Sequence, residues 1–218
     1  MAEIRAPRLF ILAGTNGAGK SSILGATTRA RGSDYFNPDE AATRIREKNP
    51  LLSVEEANSE AWHQGKRLLT RAIAERLDFN LETTLGGNSL AGLAAKAAAE
   101  GFEVRVWYVG LATAELHLRR VRQRVAQGGH SIPEADIRRR FDKSREHLVD
   151  LIPSLTELKV YDNSEEGDPA AGIAPRPRLL LHLDHGRLLG QPDLRGMPSW
   201  AKAIVIAAMA EALRRQVR

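Results

Sequence analysis

Residues 10–21 read Phe-Ile-Leu-Ala-Gly-Thr-Asn-Gly-Ala-Gly-Lys-Ser, "FILAGTNGAGKS". The apolar run from Arg8 to Ala13 stops at a glycine and reads as a buried strand, and Lys20 to Arg31 reads as a helix. Between them, Gly14, four residues, Gly19, Lys20 and Ser21 reproduce the spacing of a phosphate-binding loop. A phosphate needs several backbone N–H groups converging on it, and Gly14, Gly17 and Gly19 let the chain curl that tightly without Cβ clashes. The helix N-terminus adds partial positive charge, Lys20 can reach the outer phosphates, and the Ser21 hydroxyl is placed for Mg²⁺. Gly14, Thr15, Asn16, Gly17, Ala18, Gly19, Lys20, Ser21 and Ser22 are therefore the candidate ATP-binding set.

Outward from the loop, strands alternate with helices. "SDYFNPDEAATRIREKNP" predicts a short strand at Tyr35-Phe36, a cap at Asn37 and a helix from Pro38 to about Lys48. Ser53 to Arg76 opens with a Ser-x-Glu-Glu cap, "FNLETTL" is the third strand, and Ser89 to Glu100 is a helix closed by Gly101. "FEVRVWYVGL" is the fourth strand, Thr113–Gln127 and Glu134–Leu151 are helices, and "LKVYDNS" is the fifth strand. Parallel neighbours need crossovers and helices supply them, so the pattern predicts a three-layer α/β fold with a mostly parallel five-stranded sheet. After a loop over 165–177, "RLLLHLDHGRLLG" is a hairpin about Asp184-His185-Gly186, and Trp200 to Arg218 is a final helix. Its Ile204, Val205, Met209 and Leu213 stripe reads as a core face. The whole chain, 1–218, reads as one domain, with a lid over about 113–151 and a C-terminal hairpin and helix over about 178–218.

The chain has 218 residues, no cysteine, and a net charge of +5 carried largely by Arg. Without cysteine there is no disulfide, thiolate metal site or Cys nucleophile. Only 5% of residues are aromatic and no stacking platform accompanies the Arg, which argues against nucleic acid as the main partner. The N-terminal apolar run is far shorter than the roughly 20 residues of a membrane span, so the chain is expected to be soluble and cytoplasmic.

A phosphate loop alone does not separate a switch, a motor and a kinase. No strand ends in Asp-x-x-Gly and no Asn-Lys-x-Asp is present, which points to a kinase. A kinase needs a carboxylate beside its acceptor hydroxyl, and Asp39, just after strand two, is the candidate base. Glu82, Thr83 and Thr84 close the third strand at the same sheet edge and suit a hydroxyl-rich acceptor or a Mg²⁺ shell. Arg120 and Arg124 lie four apart on one helix, and Arg138, Arg139 and Arg140 follow on the next. Two Arg-bearing helices about a Gly-Gly-His loop look like a lid over ATP, in which not all five arginines can point inward.

Together "GTNGAGKSS", "YFNPDEAA", "NLETTLGG", "RVRQRVAQGGHSIPEADIRRRF" and "YDNS" resemble the zeta-toxin family of P-loop kinases, in particular its compact bacterial branch of predicted ATPases or UDP-N-acetylglucosamine kinases. The resemblance implies a nucleoside-monophosphate-kinase-like fold, Mg²⁺ and ATP as cofactors, and phosphorylation of the 3'-hydroxyl of UDP-N-acetylglucosamine. It would make Lys20 and Ser21 nucleotide and metal residues, Asp39 the base, and Glu82 with Thr83 or Thr84 sugar-nucleotide contacts. Arg120, Arg124, Arg138 and Arg140 would hold phosphates, Asn163 would lie near the adenine, and an antitoxin protein could be a partner. The larger toxins carry Glu-Gly-Thr where this chain has Glu-Thr-Thr. From the residues alone, a kinase for another metabolite or nucleotide and a regulatory or nucleic-acid-associated ATPase stay open.

Overall fold

The computed structural model describes residues 5–21, 35–129, 131–167 and 176–217. The strands are β1 (Arg8–Ala13), β2 (Phe79–Thr83), β3 (Glu103–Gly110), β4 (Glu157–Asp162), β5 (Arg178–Asp184) and β6 (Arg187–Leu188). The helices are α1 (Pro38–Lys48), α2 (Val54–Ala74), α3 (Asn88–Ala99), α4 (Ala114–Ala126), α5 (Glu134–Leu151) and α6 (Lys202–Gln216). They form one sheet in the order β2-β1-β3-β4-β5-β6. The first four strands run parallel, β5 is antiparallel to β4, and β6 to β5. The hairpin thus joins the main sheet, making six strands where five were expected.

The second predicted strand shrinks to one bridge. Phe36 pairs with Leu81, its N–H donating to the Asn80 carbonyl and its own carbonyl accepting from Glu82 N–H, each at 2.8 Å. Asn37 then turns to cap α1 and Pro38 has no N–H to donate, so pairing ends there. Most of the helix read over 20–31 lies outside the described residues, as does Ser22.

The apolar alternation of the strands decides what the sheet buries. Leu9, Ile11, Val104, Val106, Leu158 and Val160 form one core with Leu69 and Ile73 of α2, Ala94 and Ala97 of α3, Leu148 and Leu151 of α5, and Ile204 and Val205 of α6. Phe10, Trp107 and Tyr161 point to the opposite face and meet edge to face, at 5.2 and 6.3 Å between ring centroids. Helix α2 opens with the predicted capping box, Ser53 and Glu56 each bonding the other's backbone.

The C-terminal helix is part of the core. Trp200 is buried, packs beside Tyr108 and donates from Nε1 to Asp162 at 3.4 Å, while buried Glu211 holds Arg215 at 2.7 Å. The apolar stripe is corrected in detail. Ile204 and Val205 face inward with Ala208 and Ala212, but Leu213 is 63% exposed, because the buried face turns by 3.6 residues and reaches Ala212 first. Among the described residues no helix is long and apolar enough to cross a membrane.

Gly110, the last residue of β3, exists to admit Trp200: a Cβ there would stand 2.4 Å from the indole ring. Gly110→Ala should cost about 1–3 kcal/mol of unfolding free energy by overpacking this contact. Urea unfolding of the variant checks it, and an unchanged midpoint would mean that Trp200, in the turn just before α6, does not bear on the sheet as described.

Candidate active site

Because β1 lies between β2 and β3, consecutive connections leave in opposite directions at its carboxyl end, where open α/β sheets form their ligand crevice. The glycine loop emerges there. Gly14, Gly17 and Gly19 all have positive φ, at 139°, 79° and 85°. A Cβ on Gly14 would fall 2.1 Å from the Val109 carbonyl oxygen, and one on Gly17 would fall 2.8 Å from that of His117. The loop therefore presses its backbone on β3 and on α4 in a way that only glycine permits. Lys20 is 7% exposed and folds back, its Nζ 3.5 Å from the Thr15 carbonyl oxygen and 3.7 Å from Glu82 Oε1.

Glu82 is the hub of the crevice. The parallel register sets it opposite Leu12 and sets Thr83 opposite Ala13, so β2 delivers its acid to the loop. Ser21 Oγ lies 2.8 and 3.0 Å from the two Glu82 oxygens, and Asn37 Nδ2 donates to the carboxylate at 3.4 Å. The Asn37 Oδ1 accepts from Asp39 N–H at 2.9 Å, capping α1. One asparagine thus ties the acid at the loop to the helix that carries Asp39. Thr83 and Thr84 serve a nearer purpose, their hydroxyls accepting from Leu85 N–H at 3.0 Å and Gly86 N–H at 3.4 Å. These bonds shape the turn that holds Leu85 at a φ of 54°.

The arginines divide as geometry requires. Arg124 Nη1 lies 3.5 Å from Asp39 Oδ2, joining α4 to α1 across the crevice. Arg140 Nη1 donates to Asn16 Oδ1 at 2.9 Å, and burial, opposed by the carboxylates of Asp136 and Asp39, pulls its guanidinium pKa below the ordinary value. Arg120 passes close by Gly17 and donates to the Glu165 carbonyl at 3.3 Å. Arg138 is a correction: it binds Glu115 at 2.6 Å and Glu134 at 2.8 Å on the outer face of the hairpin, since two residues along a helix turn a side chain away. Arg139 likewise pairs with Asp136 at 2.9 Å. Asn163 is buried, and its Nδ2 donates to the Ala18 carbonyl at 2.8 Å, bracing the loop from β4.

Two cavities flank α1. One of about 680 Å³ lies beside Asn37, Arg44 and Lys48. The other, about 390 Å³, is lined by Asp39, Thr43, Arg46 and Asn58.

Sequence reasoning passed over His117. Its Nδ1–H donates to the Asn16 carbonyl at 2.8 Å and its ring meets Phe141 edge-on at 5.6 Å, so it supports the loop from behind. The only signal was its place beside Leu118 and four residues before Val121, on the buried side of α4. Burial, with smaller effects from Lys20, Arg120 and Arg145 against the bond to Asn16, pulls its pKa from 6.5 down to about 4.

A family model described as zeta toxin matches residues 1–167. This chain belongs to the zeta toxin family. A Haemophilus influenzae protein is 34% identical to this family member over 128 residues, which are 59% of this chain and 88% of that one. Among solved structures, AvrRxo1-ORF1 in complex with AvrRxo1-ORF2, with sulphate ions and with ATP, superposes at TM-scores of 0.65 with 16% and 17% identity over 93% of this chain. This zeta toxin family member spans 63% of the length of that chain. A Chloroflexus aurantiacus protein gives a TM-score of 0.50 at 14% identity over 62% of this chain and 75% of its own. At these identities the likeness is one of fold, a mostly parallel α/β sheet flanked by helices.

Since His117 is held neutral when folded, folding stability is unaffected by it above pH 6.5 and falls as pH drops from 6.5 toward 4, a total loss of about 3 kcal/mol. His117→Asn should flatten the stability curve between pH 6.5 and 4 relative to the wild type in urea unfolding. Parallel curves would show that the imidazole is not held neutral.

Proposed function

We propose that this protein transfers the γ-phosphoryl group of Mg²⁺-ATP to a hydroxyl of a small acceptor, most specifically the 3'-hydroxyl of UDP-N-acetylglucosamine. The observation that carries the proposal is the convergence at one sheet edge of a glycine cradle, the Lys20–Glu82–Ser21 group and the Asp39–Arg124 pair. Family membership supports the reaction class, and AvrRxo1-ORF1, of like fold, was solved with ATP.

The residues suit the nucleotide. Gly14 lets the loop lie against β3, where any Cβ would strike the Val109 carbonyl oxygen, and Ser21 Oγ with the Glu82 carboxylate are the hard oxygen donors that Mg²⁺ requires. Ser21 would hold the metal, which supplies neutralisation of charge across the phosphate oxygens. Lys20, close to Thr15 and Glu82, gives the outer phosphates a cation already desolvated and directed. Arg140 and Arg124 bring guanidinium groups to the rim on which negative charge grows during transfer. Asp39 accepts the acceptor's proton, and Arg124 beside it keeps the carboxylate oriented. The cavity that contains Asp39 carries Thr43, Arg46 and Asn58, groups that suit a hydroxyl-rich and anionic acceptor such as a nucleotide sugar. Both substrates belong to the cytoplasm. A protein partner of antitoxin type extends the proposal, supported by the family and by the second chain in the AvrRxo1 complex.

Incubation with Mg²⁺-ATP and a panel of nucleotide sugars, read by mass spectrometry, tests the acceptor. Asp39→Asn should lower transfer by about 10²–10⁴-fold and leave ATP affinity within a few-fold, because a base acts on the acceptor. Lys20→Ala should instead lose nucleotide binding. Equal loss of ATP affinity in both variants would remove Asp39 from the acceptor side, and absence of product with every sugar would remove the proposed acceptor class.

A further inference from the structure

Arg140 reaches the loop through direct contacts with residues 15 and 16. Its guanidinium donates from Nη1 to Asn16 Oδ1 at 2.9 Å, and its backbone carbonyl accepts from Thr15 Oγ1 at 3.3 Å. Asn16 is 8% exposed and Thr15 1%, so both side chains are spent on α5. Asn16 is in turn anchored through its own carbonyl by His117 of α4. On the other side, Gly86 opens a slot for the arginine: a Cβ there would stand 2.7 Å from Arg140 Cγ and 3.2 Å from its Cβ. Both helices of the supposed lid are thus bolted to residues 15 and 16 of the loop. A swinging lid would have to break all of these contacts, whereas a fixed one carries its arginine permanently aimed.

We propose that Asn16 and Gly86 are positioning residues for Arg140, holding its guanidinium ready for the γ-phosphate through the loop itself and making α4–α5 a pre-set wall of the site. This deepens the phosphoryl-transfer reading and rests on it. Asn16 contributes through Arg140, so removing Oδ1 leaves the guanidinium to its pairing with Asp136 at 3.6 Å, away from the loop, and filling the Gly86 slot displaces it without touching the loop.

The test is equilibrium binding of a non-hydrolysable ATP analogue, adenylyl imidodiphosphate, and of ADP to the wild type and to Asn16→Ala, Gly86→Ala, Arg140→Ala and Asn16→Ala/Arg140→Ala. The ratio of the two affinities reports recognition of the γ-phosphate. Arg140→Ala should reduce it about tenfold, the worth of one charge-assisted hydrogen bond. Asn16→Ala and Gly86→Ala should each approach that loss, and the double variant should be no worse than Arg140→Ala alone. Losses in Asn16→Ala and Arg140→Ala that add, or single variants with the wild-type ratio, would overturn the proposal. Because the readout is binding, failure of phosphoryl transfer to any acceptor would count against the kinase reading separately. Should Asn16→Ala fail to fold, Gly86→Ala decides by the same ratio.

Discussion

A buried carboxylate organises this site. Glu82 is 7% exposed, and an ionised acid at that depth costs several kcal/mol unless neighbours compensate it. Lys20 does so in charge, Ser21 and Asn37 in hydrogen bonds, and the three come from two sides of the crevice. Lys20 and Ser21 belong to the glycine loop, the proposed phosphate end, while Asn37 starts the helix that bears Asp39, the proposed base. The requirement that one acid be satisfied therefore fixes the distance between the loop and that helix.

What brings Glu82 to its partners is the parallel register of β1 and β2, and what lets the loop close over them is the absence of side chains. Gly14 against Val109, Gly17 against His117 and Gly86 against Arg140 are three approaches in which a methyl group has no room. A site of this kind gains from fixed dipoles and charges because they cost no rearrangement when the reacting group becomes more negative. The arginine wall follows the same logic, with His117 and Asn16 holding from behind what Arg140 presents in front.

Legibility in the sequence follows the range of the physics involved. The loop, the α1 cap, the capping box of α2, the hairpin turn and the acid of β2 were readable, because each is written in residues a few positions apart. The lid arginines were readable as a set but not singly: which of Arg138 and Arg140 turns inward depends on where α5 sits against the loop. His117 resembled any polar residue on a helix, since its role lies in a contact 101 positions away. The strand at Tyr35-Phe36 was overestimated because local apolar character says nothing of how many partners an edge offers. Thr83 and Thr84 were readable as hydroxyls at the sheet edge, but not the bonds that each accepts from an N–H of the turn that follows.

The central claim is that the Glu82 carboxylate both restrains Lys20 and serves the metal side of the nucleotide site. Calorimetric titration of ATP, with Mg²⁺ and with chelator, into the wild type and Glu82→Gln tests it most directly. Removing the negative charge beside Lys20 should leave metal-free ATP bound at least as tightly as in the wild type, while the gain in affinity on adding Mg²⁺ should largely disappear. A Glu82→Gln variant that keeps the full Mg²⁺ gain, or that loses metal-free ATP, would contradict the account.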